Sequence, residues 1–275
     1  MNEPTTNLSL SFDNPPVQET RIGLQFTPLT GFRIGHFGML WDECFGKSDW
    51  LIREDAPASP KLTERFGSKF LKPPESAGGQ PSFPQVCMRL ARNDGKRTAQ
   101  FQPNKLTYGW TREEEKRPSY TTVRQEFAEI IAKFIDFVAR WKLGKVVNNL
   151  WELTYVNKIV LGDSWQKPAD WHLIMPGIFP VGGPQVAGHP WATFNGTWFF
   201  EIPPEKGRVQ VRAQKVVENQ TEEISLLLVI TARGEINEKD DWLPLLDLGH
   251  QSVLRVFHDI SSLEARKKWG IIHEQ

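Results

Sequence analysis

A run near the middle of the chain, Leu150-Trp151-Glu152-Leu153-Thr154-Tyr155-Val156-Asn157-Lys158-Ile159-Val160, alternates between two kinds of side chain. Period-two alternation is strand periodicity, because successive side chains of a strand leave on opposite faces. One face then carries Leu153, Tyr155 and Asn157; the other carries Glu152, Thr154 and Val156. The glutamate admits two readings. Burial beside aromatics raises a carboxyl pKa and suits proton transfer, whereas pairing with an arginine or a backbone N–H makes the residue structural.

Other segments give this strand its context. Val17 to Phe26 places Ile22, Leu24 and Phe26 on one side, again as a strand. Residues 30–50 mix glycines with Phe32, Ile34, Phe37, Leu40 and Trp41, as in a short irregular helix over a sheet. Residues 56–84, rich in proline, glycine and serine, read as a long surface loop. Strand-like runs follow at 86–90, 98–102 and 106–110, with Asn93-Asp94-Gly95 as a hairpin turn. Thr122 to Gln125 reads as a capping box for a helix over 122–142, on which Val123, Phe127, Ile130, Ile131, Phe134, Val138 and Trp141 recur at helical spacing.

The second half repeats the order. Residues 208–214 alternate, Asn219-Gln220 marks a turn, and Ile224 to Thr231 is a nearly continuous apolar strand. Leu245 to Ile260 is amphipathic, and Ser261-Ser262-Leu263-Glu264 caps a short helix to about Trp269. Hairpins starting near Val86 and Val209 and helices starting near Thr122 and Leu245 both shift by 123 positions; the entry strands, marked by Glu19 and Glu152, shift by 133. A shared order with similar offsets suggests internal duplication. The expected fold is α+β, an antiparallel sheet with two long amphipathic helices on one face. Its halves, 1–145 and 146–275, should form one compact unit.

Lys plus Arg and Asp plus Glu are equal at 33 each, so net charge draws the chain neither to nucleic acid nor to anionic membrane. Two cysteines, Cys44 and Cys87, are too few for a disulfide framework or a four-cysteine zinc site, and two reduced thiols are expected. The polar stretch Met1 to Pro16 lacks an apolar signal core, and no window reaches the roughly 18 apolar residues of a membrane helix. A cytoplasmic protein without membrane contact follows.

Known chemical motifs are missing. Val181-Gly182-Gly183-Pro184 is no phosphate loop, and Gly31 to Gly38 does not match the dinucleotide fingerprint. His250 and His258 stand eight apart, whereas helical metal ligands stand three or four apart. No metal site or cofactor is expected.

Three segments carry a family resemblance: Asn14-Pro15-Pro16-Val17-Gln18-Glu19, Glu152-Leu153-Thr154-Tyr155-Val156-Asn157, and His250, Phe257, Ile260 with Trp269-Gly270. Together they resemble a sporadically distributed, uncharacterised bacterial family of similar length. Before Trp110, where that family carries an arginine, this chain reads Asn104-Lys105-Leu106. The resemblance implies a prokaryotic origin and no established activity. Its sporadic distribution implies an accessory gene, such as one in a phage-defence locus.

Three functions follow as expectations. The first is a non-catalytic binding or assembly protein whose partner is another protein, either itself or a neighbouring gene product, anchored by aromatics such as the tryptophans of 162–200. The second is a nucleic-acid-binding sheet. Arg89, Arg92, Lys96, Arg97, Lys105, Arg208, Arg212 and Lys215 would form one basic surface if the two hairpins adjoin, and Tyr108 and Trp110 would stack on bases. The third is an enzyme of unrecognised type built on Glu152, Tyr155, Asn157 and His250. Gln210, between Arg208 and Arg212, joins the candidate binding floor.

Overall fold

The computed structural model describes residues 12–46, 49–53, 66, 86–112, 118–162, 164–179, 193–203, 206–218 and 221–271. The proline-rich stretch 56–84, apart from Phe66, lies outside them, as do Trp191 and the Asn219-Gln220 turn.

The strands are β1 (Val17–Phe26), β2 (Trp50–Arg53), β3 (Met88–Arg92), β4 (Arg97–Gln102), β5 (Lys105–Thr111), β6 (Asn148–Val160), β7 (Asn195–Ile202), β8 (Gly207–Val217) and β9 (Ile224–Glu235). They form one antiparallel sheet in the order β2-β3-β4-β5-β1-β6-β9-β8-β7. The helices are α1 (Ile34–Cys44), α2 (Tyr120–Arg140), α3 (Trp171–Ile174), α4 (Trp242–Ile260) and α5 (Leu263–Lys268). The class is therefore α+β, with both halves joined in one sheet through β1 and β6.

In each half an entry strand is followed by a meander whose last strand returns beside it: β5 beside β1, and β9 beside β6. A helix, α2 or α4, then follows. The hairpin equivalence drawn from the sequence slips by one strand. The topology matches β4–β5 with β8–β9, and β3 with β7. β7 escaped the sequence reading because its alternation lies at the end of a Gly/Pro/Trp-rich stretch.

Register assigns the faces. Across β5, β1, β6 and β9, Tyr108, Ile22, Leu153 and Ala232 form one row, and Leu106, Leu24, Trp151 and Gly234 the next. These rows lie under helices. Phe134 of α2 meets Phe26 and Phe101 at centroid distances of 5.6 and 5.8 Å. Trp151 lies under α4 at Gly249, where an added Cβ would stand 2.4 Å from its ring. Glycine inside a helix costs about 1 kcal/mol relative to alanine, and here it admits a fully buried tryptophan.

Local signals shape the helix ends. The N-cap of α2 is Ser119, not Thr122: its Oγ accepts from the Thr122 N–H at 3.1 Å. Trp141 falls just past the last turn, is 43% exposed, and hydrogen-bonds Glu43 instead of continuing the apolar stripe. Phe137 takes the buried position. Lys142 and Gly144, both at positive φ, turn the chain toward β6. Asp241 caps α4, and Ser262 caps α5 through the Ala265 N–H.

Most tryptophans of the second half are core. Trp165 and Trp171 are buried and meet edge-on at 5.5 Å. Both cysteines are free, and burial pushes each thiol above its usual pKa. Among the described residues, no helix is long and apolar enough to cross a membrane.

Candidate functional site

The candidate residues divide between the two faces of the sheet. On the face away from the helices, Arg208, Arg233, Glu152, Gly23 and Thr107 form one row across β8, β9, β6, β1 and β5. Glu152 accepts from Arg233 Nε at 2.6 Å and from Lys105 Nζ at 3.4 Å. Lys105 lies two strands away, and its stem passes beside Gly23. A Cβ at Gly23 would stand 3.0 Å from Thr107 and 3.8 Å from the Lys105 stem. Arg233 also donates to Gln210 Oε1 at 3.1 Å.

Burial pushes the Glu152 carboxyl up, but Lys105 and Arg233 outweigh it and hold the group below the ordinary carboxylate range. A carboxylate held ionised between two cations serves structure and is a poor proton donor. Of the two readings of Glu152, ion pairing is the one realised.

The rest of this face is polar and graded. Gln25, Gln102, Lys105, Thr154, Thr231 and Arg208 are buried. Arg21, Thr197, Phe199, Glu201 and Arg212 are exposed. Arg21 pairs with Glu19, and Arg212 donates to Gln214 at 2.9 Å. The Arg208 guanidinium lies over the Phe199 ring at 4.7 Å and within 5.9 Å of Phe66, although β2 and β3, which flank Phe66 in sequence, form the opposite edge. Arg89 lies half-buried on β3, opposite Gln100 and Arg53.

The expected single basic surface does not form. The hairpins carrying Arg89 and Arg208 stand on opposite wings, with β5, β1, β6 and β9 between β4 and β8. Arg97 turns to the other face and pairs with Glu126 at 2.9 Å. Tyr108 and Trp110, expected to stack on bases, are each 2% exposed on the helix-covered face. Tyr108 donates to Glu126 at 2.7 Å, and burial followed by that carboxylate raises its pKa.

On the helix-covered face, Tyr155, Asn157 and His250 come together as the sequence reading grouped them; Glu152, three residues from Tyr155, points the other way. Tyr155 Oη and His250 Nδ1 are 2.9 Å apart. Tyr120, in the first turn of α2, stacks on the His250 ring at 3.9 Å and 8°. Tyr120 donates to Asp247 at 2.9 Å, and Asp247 pairs with Arg124 at 2.8 Å. Burial and then Asp247 push the Tyr120 hydroxyl pKa up, so it stays protonated. Asn157 is 2% exposed and donates to the Leu228 carbonyl at 3.1 Å.

Tyr120, Tyr155, Asn157 and His250 border a cavity of about 180 Å³ between α2, α4 and the sheet. Its outer wall includes Phe12 and Pro15, from a segment tied to the end of the chain by Asp13 N–H to Gly270 and Asn14 N–H to Trp269 carbonyl bonds.

Among the described residues, no three His, Cys, Asp or Glu converge as a metal site. His36 accepts from the Arg33 N–H at 2.8 Å at the start of α1. Sequence reasoning missed Tyr120, Asp247, Lys105 and Arg233 as partners. Strand parity alone would have put Lys105 and Thr107 on the face of Glu152 only with the β1 register known. No protein-family model matches the chain, and no curated protein matches it.

Proposed function

We propose that this chain is a non-catalytic binding or assembly protein that docks another protein on the polar face of its sheet, at the β7–β8 edge. One observation carries the reading: helices cover one face, while among the described residues no helix packs on the other. At its exposed end Phe199, 44% exposed, stands beside Arg208 and Arg212. Exposed aromatics and arginines are the side chains that most often anchor protein interfaces. Among the described residues β7 is also an edge strand, whose outer backbone can pair with an added strand.

The shared connectivity of the halves, each with one long helix on the same face, supports an internal duplication. The nucleic-acid alternative draws no support from the separated arginines. The enzyme alternative keeps a cavity but loses Glu152 from it. Placement as an accessory component of a bacterial phage-defence locus rests on the family resemblance alone.

Size exclusion with light scattering, on the chain alone and mixed with products of neighbouring genes, tests the reading. A stable complex, weakened at least about tenfold by Arg212→Glu with Phe199→Ala, is expected. A strictly monomeric chain that captures none of those products overturns it.

A further inference from the structure

The cavity between α2 and α4 plays no part in the proposed docking face, and its chemistry is specific. Among the described residues its lining contains no Asp, Glu, Lys or Arg. A charged ligand would lose its hydration there without a counter-ion, which costs several kcal/mol or more by the usual burial penalty. These residues therefore favour a neutral occupant.

Size narrows the choice. An apolar protein cavity of roughly 150 Å³ holds one benzene, and this one is about 180 Å³. One ring, or two small fused rings, fills it. The walls are aromatic and aliphatic: Phe12, Phe257, Val123, Ile230 and Val253. Of the polar lining groups, Ser119 (the α2 N-cap), Tyr120 and His250 come from the helices, and Thr20, Tyr155 and Asn157 from the sheet floor. Asn157 spends its amide on the Leu228 carbonyl, so its side-chain oxygen remains as an acceptor at the cavity. Thr20, 6% exposed on β1, borders the same space with its hydroxyl. A ligand N–H or O–H entering the cavity would find an acceptor there.

The site is also preorganised. His250 is held between the Tyr155 hydroxyl and the Tyr120 ring, and Tyr120 is fixed in turn by Asp247. Few rotamers need be frozen on binding, which favours affinity for a small ligand.

We propose that this cavity binds a neutral aromatic molecule of one or two rings bearing a single hydroxyl or N–H donor, which points at Asn157 and Thr20. The site is independent of the docking face, so either can fail alone.

The test uses the full chain with phenol and indole as probes, and benzoate and toluene as controls. Amide chemical-shift perturbation and thermal shift are the readouts. Phenol or indole should bind with Kd below about 1 mM, and benzoate and toluene at least about tenfold more weakly. The perturbed amides should cluster at Thr20, Tyr120, Asn157 and His250. Leu254→Trp, which fills the cavity, should abolish binding with circular dichroism unchanged. If that variant does not fold, the wild-type probe series and the perturbation map decide alone. No binding at about 5 mM of either probe, equal binding of benzoate, or perturbation confined to the opposite face overturns the proposal.

Discussion

Glu152 and Tyr155 stand three residues apart on β6 and meet opposite worlds. Glu152 lies on the face without helices and is held ionised between Lys105 and Arg233. Tyr155 lies under α4 and meets His250, on whose ring Tyr120 stacks. The first face handles polarity by ion pairing, because water and long flexible cations can reach it. The second handles it through tyrosine hydroxyls, bonded to His250 or to the carboxylates of Glu126 and Asp247, which arginines neutralise. One strand thus supplies a rigid polar floor on one side and a small neutral cavity on the other.

Cutting the strand's context is the largest test of that contrast. β1 carries partners on both edges, β5 and β6, and the cut at 145/146 removes one of them. Fragments 1–145 and 146–275 should each be insoluble alone and recover solubility when co-expressed. Two independently soluble fragments with cooperative melting would mean that the faces are not shared.

Next in size is the ion cluster. Glu152→Gln leaves two cations facing each other with their carboxylate gone, and should cost about 3–5 kcal/mol in urea unfolding at pH 7. The pH dependence sharpens this. The folded carboxyl pKa is lowered, so its contribution is present above the unfolded value and is lost as pH falls through the folded value. Wild type should therefore lose stability in acid faster than Glu152→Gln, and the two curves should converge. Parallel curves would show that the cations do not hold the carboxylate.

On the other face, Gly249→Val drives a side chain into the Trp151 ring and should cost about 3 kcal/mol, despite the better helix propensity of valine. A stability change under about 0.5 kcal/mol would show that α4 can move off the sheet freely.

Tyr155→Phe is the mildest change. It removes one neutral hydrogen bond to His250 and should cost about 0.5–1.5 kcal/mol. A cost as large as that of Glu152→Gln would erase the distinction between the faces.

The sequence determined the elements and their sidedness. Period-two alternation marked β1 and β6 and the faces of residues 152–157, and helical spacing marked α2 and α4, because periodicity is set by local backbone geometry. Caps, edge strands and the end of the stripe at Trp141 were less legible: Ser119 precedes the apolar run by several residues, and β7 sits behind a stretch whose glycines and prolines mask its alternation. Strand order was decided only by tertiary structure. It set the two arginine-bearing hairpins on opposite wings, brought Lys105 and Arg233 to Glu152 from 47 and 81 residues away, and joined Tyr155 to His250 from 95. The physical reason is that sheet register and helix docking are chosen by competition among distant apolar surfaces, and a local pattern says which face a side chain takes without saying which strand lies beside it.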